Sequence, residues 1–238
     1  MKRLIVLLLC IAVVFTLAAC KNNNKTTPPT IVTDPSTGKP IAPIDPNDKY
    51  TISIEEFMQR LNTSGKENNF CLVVVETFED EATSTLVMND GKDKIYKRII
   101  RNSADDGSFS LAEQKEQYFS YTDGVMYERE NEDYKSQPYT FDTAPTDITI
   151  QSMIDELVCK DFYETLICNT IGFTYDLIKE EYHLVDFSMT VGDETRYFQN
   201  VTIKMSGRRL YSIECAAGTQ KLYIEIANVD STNITLPK

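Results

Sequence analysis

Hydrophobic and polar residues alternate with a period of two along much of the chain, which is typical of half-buried β-strands. The alternation runs through residues 69–141 and resumes from Glu180 onwards. In the first stretch, Asn89-Asp90-Gly91 and Asp123-Gly124 separate the alternating runs, and Asp-Gly at such a place indicates a hairpin turn. The pattern predicts an antiparallel meander of about six strands, followed later by about four more.

A short segment before the first strands follows the 3.6-residue period of a helix instead. Ser53 and Glu56 have the spacing of a capping box, and residues 62–65 (Asn-Thr-Ser-Gly) end the pattern. The apolar residues that share one face are Ile54, Phe57, Met58 and Leu61. We expect this amphipathic helix to dock on the sheet.

A longer helical pattern lies between the two groups of strands. Thr149 or Asp147 is its candidate N-cap and Gly172 its end. Its wide apolar stripe consists of Ile150, Met153, Ile154, Leu157, Val158, Phe162, Leu166 and Ile167. The stripe predicts one continuous helix, Thr149 to Ile171, with an apolar face turned to the sheet.

The order helix, strands, helix, strands predicts an α+β fold. Each strand has one apolar face, so one side of the sheet should be covered and the other wet. A sheet of about ten antiparallel strands twists and curls strongly. We therefore expect a curved antiparallel half-barrel with the helices packed on its concave face.

Strand alternation also selects the apolar side chains that should turn inward, although it leaves open which sets meet. If a cavity lies between these side chains and the long helix, an acyl chain fits its chemistry. The candidate cavity-lining residues are Phe70, Leu72, Val74, Ile203, Met205, Leu222, Ile224 and Ile226.

The first twenty residues predict secretion and lipidation. Lys2 and Arg3 precede the uncharged residues 4–19, a stretch too short for a typical membrane span of roughly 20 residues. Leu17-Ala18-Ala19-Cys20 resembles the lipobox of bacterial lipoproteins, in which the cysteine receives a diacylglyceryl group and the chain is cut before it. We expect a signal peptide at 1–19 and a lipid on Cys20; a plain secreted protein or a retained membrane anchor is the alternative.

The next stretch, residues 20–48, is rich in Asn, Thr and Pro and has almost no large apolar residue. Such a composition cannot offset its chain entropy by burial, so we expect a disordered tether. Residues 49–238 then form a single predicted domain. The expected location is the extracytoplasmic face of the cell membrane, with the lipid on Cys20 as anchor.

Charge and chemistry exclude several classes of function. The net charge is −12, and such a surface repels phosphate backbones, so we expect no nucleic acid partner. The chain has a single histidine, His183, without a nucleophile motif, and we interpret it as a solvated residue near a strand edge. The sequence thus predicts no catalytic site, no metal site and no cofactor beyond the covalent lipid.

Four cysteines follow Cys20, at positions that form no Cys-x-x-Cys pair. Their disulfide state is open from sequence, because four cysteines allow three connectivities. A bridge between Cys71 and Cys215 is one reading, and buried free thiols are the other. Cys159 and Cys168 are about 13 Å apart if they share one helix, which is beyond disulfide reach.

The order of elements behind a lipobox resembles the superfamily of the bacterial lipoprotein carriers LolA and LolB and the mycobacterial lipoproteins LppX and LprG. The resemblance covers Tyr50 to Pro237, and its most specific part is residues 222–226 (Leu-Tyr-Ile-Glu-Ile), then Val229 and residues 233–237 (Asn-Ile-Thr-Leu-Pro). It implies an open half-barrel with an apolar cavity for acyl chains. Unlike LolA, which is soluble, this chain has the features of an anchored protein.

Two functions are consistent with these features. The first is a membrane-anchored protein that binds or carries a hydrophobic ligand, either a lipid or an acylated protein. The second is a surface domain without a ligand cavity that binds proteins or senses envelope stress, because the helices could fill the concave face completely. An extracytoplasmic hydrolase ranks third, since no catalytic residues can be assembled.

Overall fold

The computed structural model describes residues 53–105, 108–176, 180–191 and 194–237. All the described residues belong to one compact unit. The predicted signal peptide and Cys20 therefore lie outside the described residues, as does the tether. Within the described part, no helix is long and apolar enough to cross a membrane.

The described strands form a single open antiparallel sheet of eleven strands, in the order β6-β5-β4-β3-β2-β1-β11-β10-β9-β8-β7. The strands are β1 Asn69–Phe78, β2 Glu81–Asp90, β3 Lys94–Asp105, β4 Ser108–Ser120, β5 Val125–Glu130, β6 Asp133–Pro138, β7 Thr174–Asp176, β8 Glu181–Val191, β9 Glu194–Ser206, β10 Arg209–Ala217 and β11 Gln220–Ala227. This confirms the predicted α+β class and the open antiparallel sheet; the short β7 was not predicted.

Three α-helices are described: α1 Ile54–Gly65, α2 Ile150–Leu157 and α3 Phe162–Cys168. Short 3₁₀ turns precede α2 at Pro145–Asp147 and follow α3 at Thr170–Gly172. The predicted caps are present, because Ser53 Oγ accepts a hydrogen bond from the Glu56 amide (3.1 Å) and Thr149 forms a capping box with Ser152.

The prediction of one continuous helix from Thr149 to Ile171 was wrong. The chain breaks after α2, where Asp161 adopts the left-handed conformation with φ of +62°. The Asp155 carboxylate accepts a hydrogen bond from the Tyr163 amide (2.8 Å), which satisfies a donor at the start of α3. Apolar residues continue at helical spacing on both sides of this break, so periodicity alone does not indicate it.

The predicted apolar face of α1 was also partly wrong. Phe57 and Leu61 are buried, but Ile54 and Met58 are 43% and 39% exposed. The helix is turned towards β10 instead, where Ser64 Oγ accepts a hydrogen bond from the Leu210 amide (2.9 Å). The helix therefore buries Phe57 and Leu61 and leaves Ile54 and Met58 at the surface.

The core lies between the three helices and strands β1, β11, β10, β9 and β8. Because β1 pairs with β11, Leu72 faces Ile226 and Val74 faces Ile224 across the centre of the sheet. Aromatic rings close the core on the helix side, and Phe57 of α1 stacks on Tyr182 of β8 with ring centroids 3.9 Å apart. The long N- and C-terminal strands thus meet beneath the helices.

Strands β8 and β9 change face halfway along their length. Asn200 has a positive φ of 53°, and its partner position on β8 is Val185, which is 80% exposed. Before Val185 the buried residue of β8 is Leu184, and after it the next buried residue is Phe187. The buried positions therefore shift by one residue. Strict alternation would place Val185 on the same face as Phe187, and β8 departs from it because the strand is irregular at this point.

Candidate ligand-binding cleft

An open cleft of about 700 Å³ lies at the lower end of the sheet, defined as the end where β1 stops and β11 begins. The ends of β1, β9, β10 and β11 form one wall, and Val158, just after α2, forms the other. Since the helix stops at Leu157, the sheet surface beyond that point is left uncovered at the cleft.

Apolar side chains contributed by separate elements line the cleft. They are Val158, Phe198, Ala217 and Leu222. Phe198 reaches the helix side of the sheet because of the face change at Asn200, and it stacks on Phe187 with ring centroids 5.0 Å apart. Phe198 and Leu222 are buried parts of the core, so the cleft extends the core surface outward.

Polar side chains line the same cleft. Gln220 Nε2 donates a hydrogen bond to Glu76 Oε1 (3.2 Å) and holds this half-buried carboxyl in place. Burial raises the pKa of Glu76, and the positive charge of Arg196 opposes that shift. The cleft thus combines apolar carbon with one guanidinium and one carboxyl whose ionisation is disfavoured.

The thiols near the cleft are buried and held in their protonated form. Burial raises the pKa of Cys215 to about 12, and it also raises the pKa of Cys159. Cys159 Sγ lies 3.5 Å from the Met189 sulfur in the interior. A thiol needs its thiolate form to act as a nucleophile, so neither residue is suited to that role at neutral pH.

The four described cysteines are free. Cys71 and Cys215 lie on opposite faces of the sheet, because Cys71 is next to inward-facing Leu72 whereas Cys215 is itself inward and pairs with Leu222. The reading of a bridge between Cys71 and Cys215 was therefore wrong. Alternation places them on opposite faces once the register between strands is known.

All eight predicted cavity-lining residues lie on the helix side of the sheet and belong to the core or pack against it. Seven are at most 3% exposed, and the eighth, Met205, is partly buried. Only Leu222 lines the cleft, while Met205 lines a smaller cavity of about 310 Å³ beside Arg60 of α1. A ligand cavity between these residues stays a prediction.

His183 lies on β8 beside the edge strand β7, on the face that the helices do not cover. Its Nδ1 is 3.1 Å from Thr202 Oγ1, and its Nε2 is 3.0 Å from Glu181 Oε1. The Lys204 ammonium lies 3.2 Å from the other oxygen of Glu181. Among the described residues, no group of three or more His, Cys, Asp or Glu could hold a metal ion.

Sequence reasoning missed most of the cleft residues. Glu76 was not among the predicted site residues, and Val158 was predicted to be part of a continuous helix. Arg196 and Phe198 face the helix side only because of the irregularity at Asn200. An asparagine within an alternating run was the one available signal, since asparagine tolerates positive φ better than most residues.

No family model matches this chain, and no curated protein matches it in sequence. Two solved structures are similar to it, each with a TM-score of 0.38. LprF from Mycobacterium bovis shares 12% identity, with 78% of this chain and 97% of LprF covered. The lipoprotein LppX from Mycobacterium tuberculosis shares 9% identity, with 76% of this chain and 96% of LppX covered.

Proposed function

We propose that this chain is a lipid-anchored, extracytoplasmic protein whose sheet domain binds an amphiphile with an apolar chain. The observation that carries the proposal is the cleft at the lower end of the sheet. Its volume of about 700 Å³ falls within the roughly 300–1,000 Å³ of small-molecule sites. Apolar and polar side chains line it in similar number, namely Val158, Phe198, Ala217 and Leu222 beside Glu76, Arg196, Gln199 and Gln220, which suits an amphiphile.

The chemistry of the lining sets the orientation of this ligand. An acyl chain lies against Val158, Phe198 and Leu222, where each buried methylene contributes about 0.8 kcal/mol. The polar end lies at Arg196 and Glu76. A chain of ten or so methylenes supplies enough apolar area to bind without a covalent link.

The packing of the interior limits where this ligand can lie. Ile224 and Ile203 are fully buried in the core. An acyl chain between them would have to displace close-packed side chains, and overpacking typically costs about 1–3 kcal/mol. The proposal therefore places the ligand in the cleft. The same packing favours the alternative of a surface domain with a filled interior.

The anchoring part of the proposal rests on residues 17–20 (Leu-Ala-Ala-Cys) and the basic start of the chain. Two or more acyl chains give stable membrane attachment where a single chain does not. Cells fed with labelled palmitate should label the wild-type chain and leave the Cys20→Ala chain unlabelled in an unprocessed form. Label on the Cys20→Ala chain would contradict the lipobox interpretation.

Two neighbouring alanines of β10 provide the test of ligand binding. Ala217 lines the cleft on the helix side, whereas Ala216 points to the other face. Ala217→Phe should fill the cleft and reduce the affinity for a fluorescent fatty acid at least ten-fold, and Ala216→Phe should leave it within about two-fold. Both alanines are partly buried, so either substitution can destabilise the fold. The melting temperatures of the two variants show whether they are equally well folded.

The binding assay uses the chain from residue 20 with Cys20→Ala, which removes competition from the attached lipid. Native mass spectrometry of the same protein then reports any co-purified amphiphile. If the wild-type protein binds no fatty acid and carries no additional mass, the alternative of a domain without a ligand is the correct one.

A further inference from the structure

Along most of its length, one edge of strand β8 pairs with no other described strand. The last strand of the sheet, β7, pairs only with Glu181, Tyr182 and His183. From Leu184 to Val191, β8 pairs with β9 on one side and with no described strand on the other. An unpaired strand edge exposes backbone N–H and C=O groups that can pair with another chain.

The opposite side of the sheet ends in β6 and, where β5 does not reach, in residues 108–116 of β4, whose charged residues Glu113, Lys115 and Glu116 oppose such pairing. Strand β6 has the sequence DYKSQP, in which Asp133 and Lys135 are exposed charges and Pro138 cannot donate a backbone hydrogen bond. Charges, proline and short length are the usual means by which edge strands avoid association. The β6 edge has all three.

The unpaired edge of β8, residues 184–191, has few of these protections. Residues 184–191 read LVDFSMTV, with Asp186 as the only charge and no proline or glycine. These residue types favour extended strands. Val185 on this strand is 80% exposed, and Tyr197, which pairs with Ser188 from the neighbouring strand β9, is 62% exposed. The edge therefore combines unpaired backbone with accessible apolar surface.

We propose that the edge formed by residues 184–191, the β8 edge, pairs antiparallel with the β8 edge of a second copy of this chain. A two-fold axis places the strand against itself, so the pairing needs a segment that is complementary to its own sequence. Asp186 meets an uncharged residue in every two-fold register except the one centred on Asp186 itself. Because Asp186 is the one charged residue of this edge, the edge has too little negative charge to select a positively charged partner strand.

The side chains of β8 continue this complementarity. Phe187 and Met189 face the helix side, and Ser188 faces the other. Antiparallel pairing keeps like faces together, so the apolar face of one copy would continue into the apolar face of the other. An eight-residue strand pair is a small interface, and we therefore expect reversible, concentration-dependent dimers.

Photo-crosslinking of the full chain in a bacterial host tests this pairing. The photoreactive residue benzoylphenylalanine is placed at Ser188 of β8 and, as a matched control, at Ser136 of β6, since both serines are exposed on edge strands. Irradiation should give a product of twice the chain mass from position 188 and none from position 136. No product from position 188, or a product containing a different protein, would overturn the proposal.

Sedimentation of the full chain in non-ionic detergent gives an independent measurement. Ser188→Lys should weaken dimer formation at least ten-fold, because it places a lysine in the pairing edge of each copy. Ser136→Lys should leave the dimer unchanged and controls for the added charge. Equal weakening by both variants, or a wild-type chain that remains monomeric at all concentrations, would refute the β8 pairing.

Discussion

The two halves of the sheet follow the same alternating pattern but are stabilised in different ways. In the covered half, formed by β1 and β8–β11, the helix-side residues belong to one apolar core. In the open half, formed by β3–β6, Ile95 and Phe119 reach this core at one end, while further along the same side of the sheet carries charges, and Lys115 forms an ion pair with Glu128 (3.1 Å). Alternation therefore predicts a strand, while coverage by helices decides whether its apolar face becomes core.

The open half is held together from its outer face. Glu116 of β4 accepts hydrogen bonds from the hydroxyls of Tyr96 (3.2 Å), Tyr118 (3.2 Å) and Tyr134 (3.0 Å), and Arg129 donates to its other oxygen (3.1 Å). One carboxylate thereby links β3, β4, β5 and β6. Where no helix can bury apolar surface, a hydrogen-bond network replaces it.

The largest expected effect comes from replacing an isoleucine by alanine, once in each half of the sheet. Ile224→Ala in the covered half removes a fully buried side chain and should lower the free energy of unfolding by about 2–5 kcal/mol. Ile99→Ala in the open half removes a partly exposed side chain and should cost less than about 1 kcal/mol. Urea unfolding measures both, and equal losses would show that the open half also has a packed core.

The sequence was sufficient to predict the fold class, the strands other than β7, and the inward set of β1, of β11 and of β9 after Asn200. These stretches alternate regularly, and Leu72, Ile203 and Ile224 are buried as alternation requires. Periodicity also placed the caps Ser53 and Thr149 correctly, because capping depends on residues close in sequence. Local signals with strong residue preferences were thus reliable.

The candidate cleft could not be predicted because it depends on where regular structure stops. The left-handed residue Asp161 ends a pattern whose apolar stripe continues unbroken, and Asn200 reverses the faces of two strands. The network around Glu116 depends on the register of four strands, which alternation alone does not provide. Single deviations of this kind carry no periodic signal.

A smaller effect is expected from Glu116→Gln, which tests how the open half is stabilised. The amide can accept from the tyrosines, but its NH₂ group faces the donor Arg129, so the variant should lose about 1–3 kcal/mol at pH 7. Burial alone would raise the pKa of Glu116, yet the hydrogen bonds from Tyr134, Arg129 and Tyr96 hold it below its ordinary value. Thermal unfolding across pH measures the difference.

The sign of this pH dependence follows from the lowered pKa of Glu116. Its stabilising contribution is complete above the unfolded value of about 4.3 and is lost as the pH falls through the lower folded value. The gap between the wild-type chain and Glu116→Gln should therefore narrow as the pH falls below about 4.3. A gap that persists unchanged at pH 3 would show that the charge of Glu116 is not what links the strands. Tyr134→Phe, which removes one donor and keeps the charge, should cost less than Glu116→Gln.

The smallest expected effect concerns the positively charged side chains, which differ between the two halves of the sheet. In the open half Lys115 is paired with Glu128, and Arg101 is paired with Glu113 (2.9 Å). Arg196 lines the cleft near Glu76 and Cys159 and, within the described part of the chain, is not within ion-pair distance of a carboxylate. A guanidinium without a carboxylate at ion-pair distance, beside an apolar surface, favours an anionic head group on the proposed ligand. Because Arg196 is exposed, its contribution should be no more than about 1 kcal/mol.

Arg196→Gln should therefore weaken the binding of dodecanoate about two- to five-fold and leave the binding of dodecanol unchanged. Glu76→Gln should act in the opposite direction, since it removes a carboxyl that repels an anion whenever it is ionised. Arg208→Gln, at an exposed turn far from the cleft, controls for the loss of one positive charge. Titration calorimetry with both ligands distinguishes the outcomes. Equal weakening of dodecanoate and dodecanol by Arg196→Gln would mean that the arginine shapes the cleft through packing, and the ligand would then need no charge.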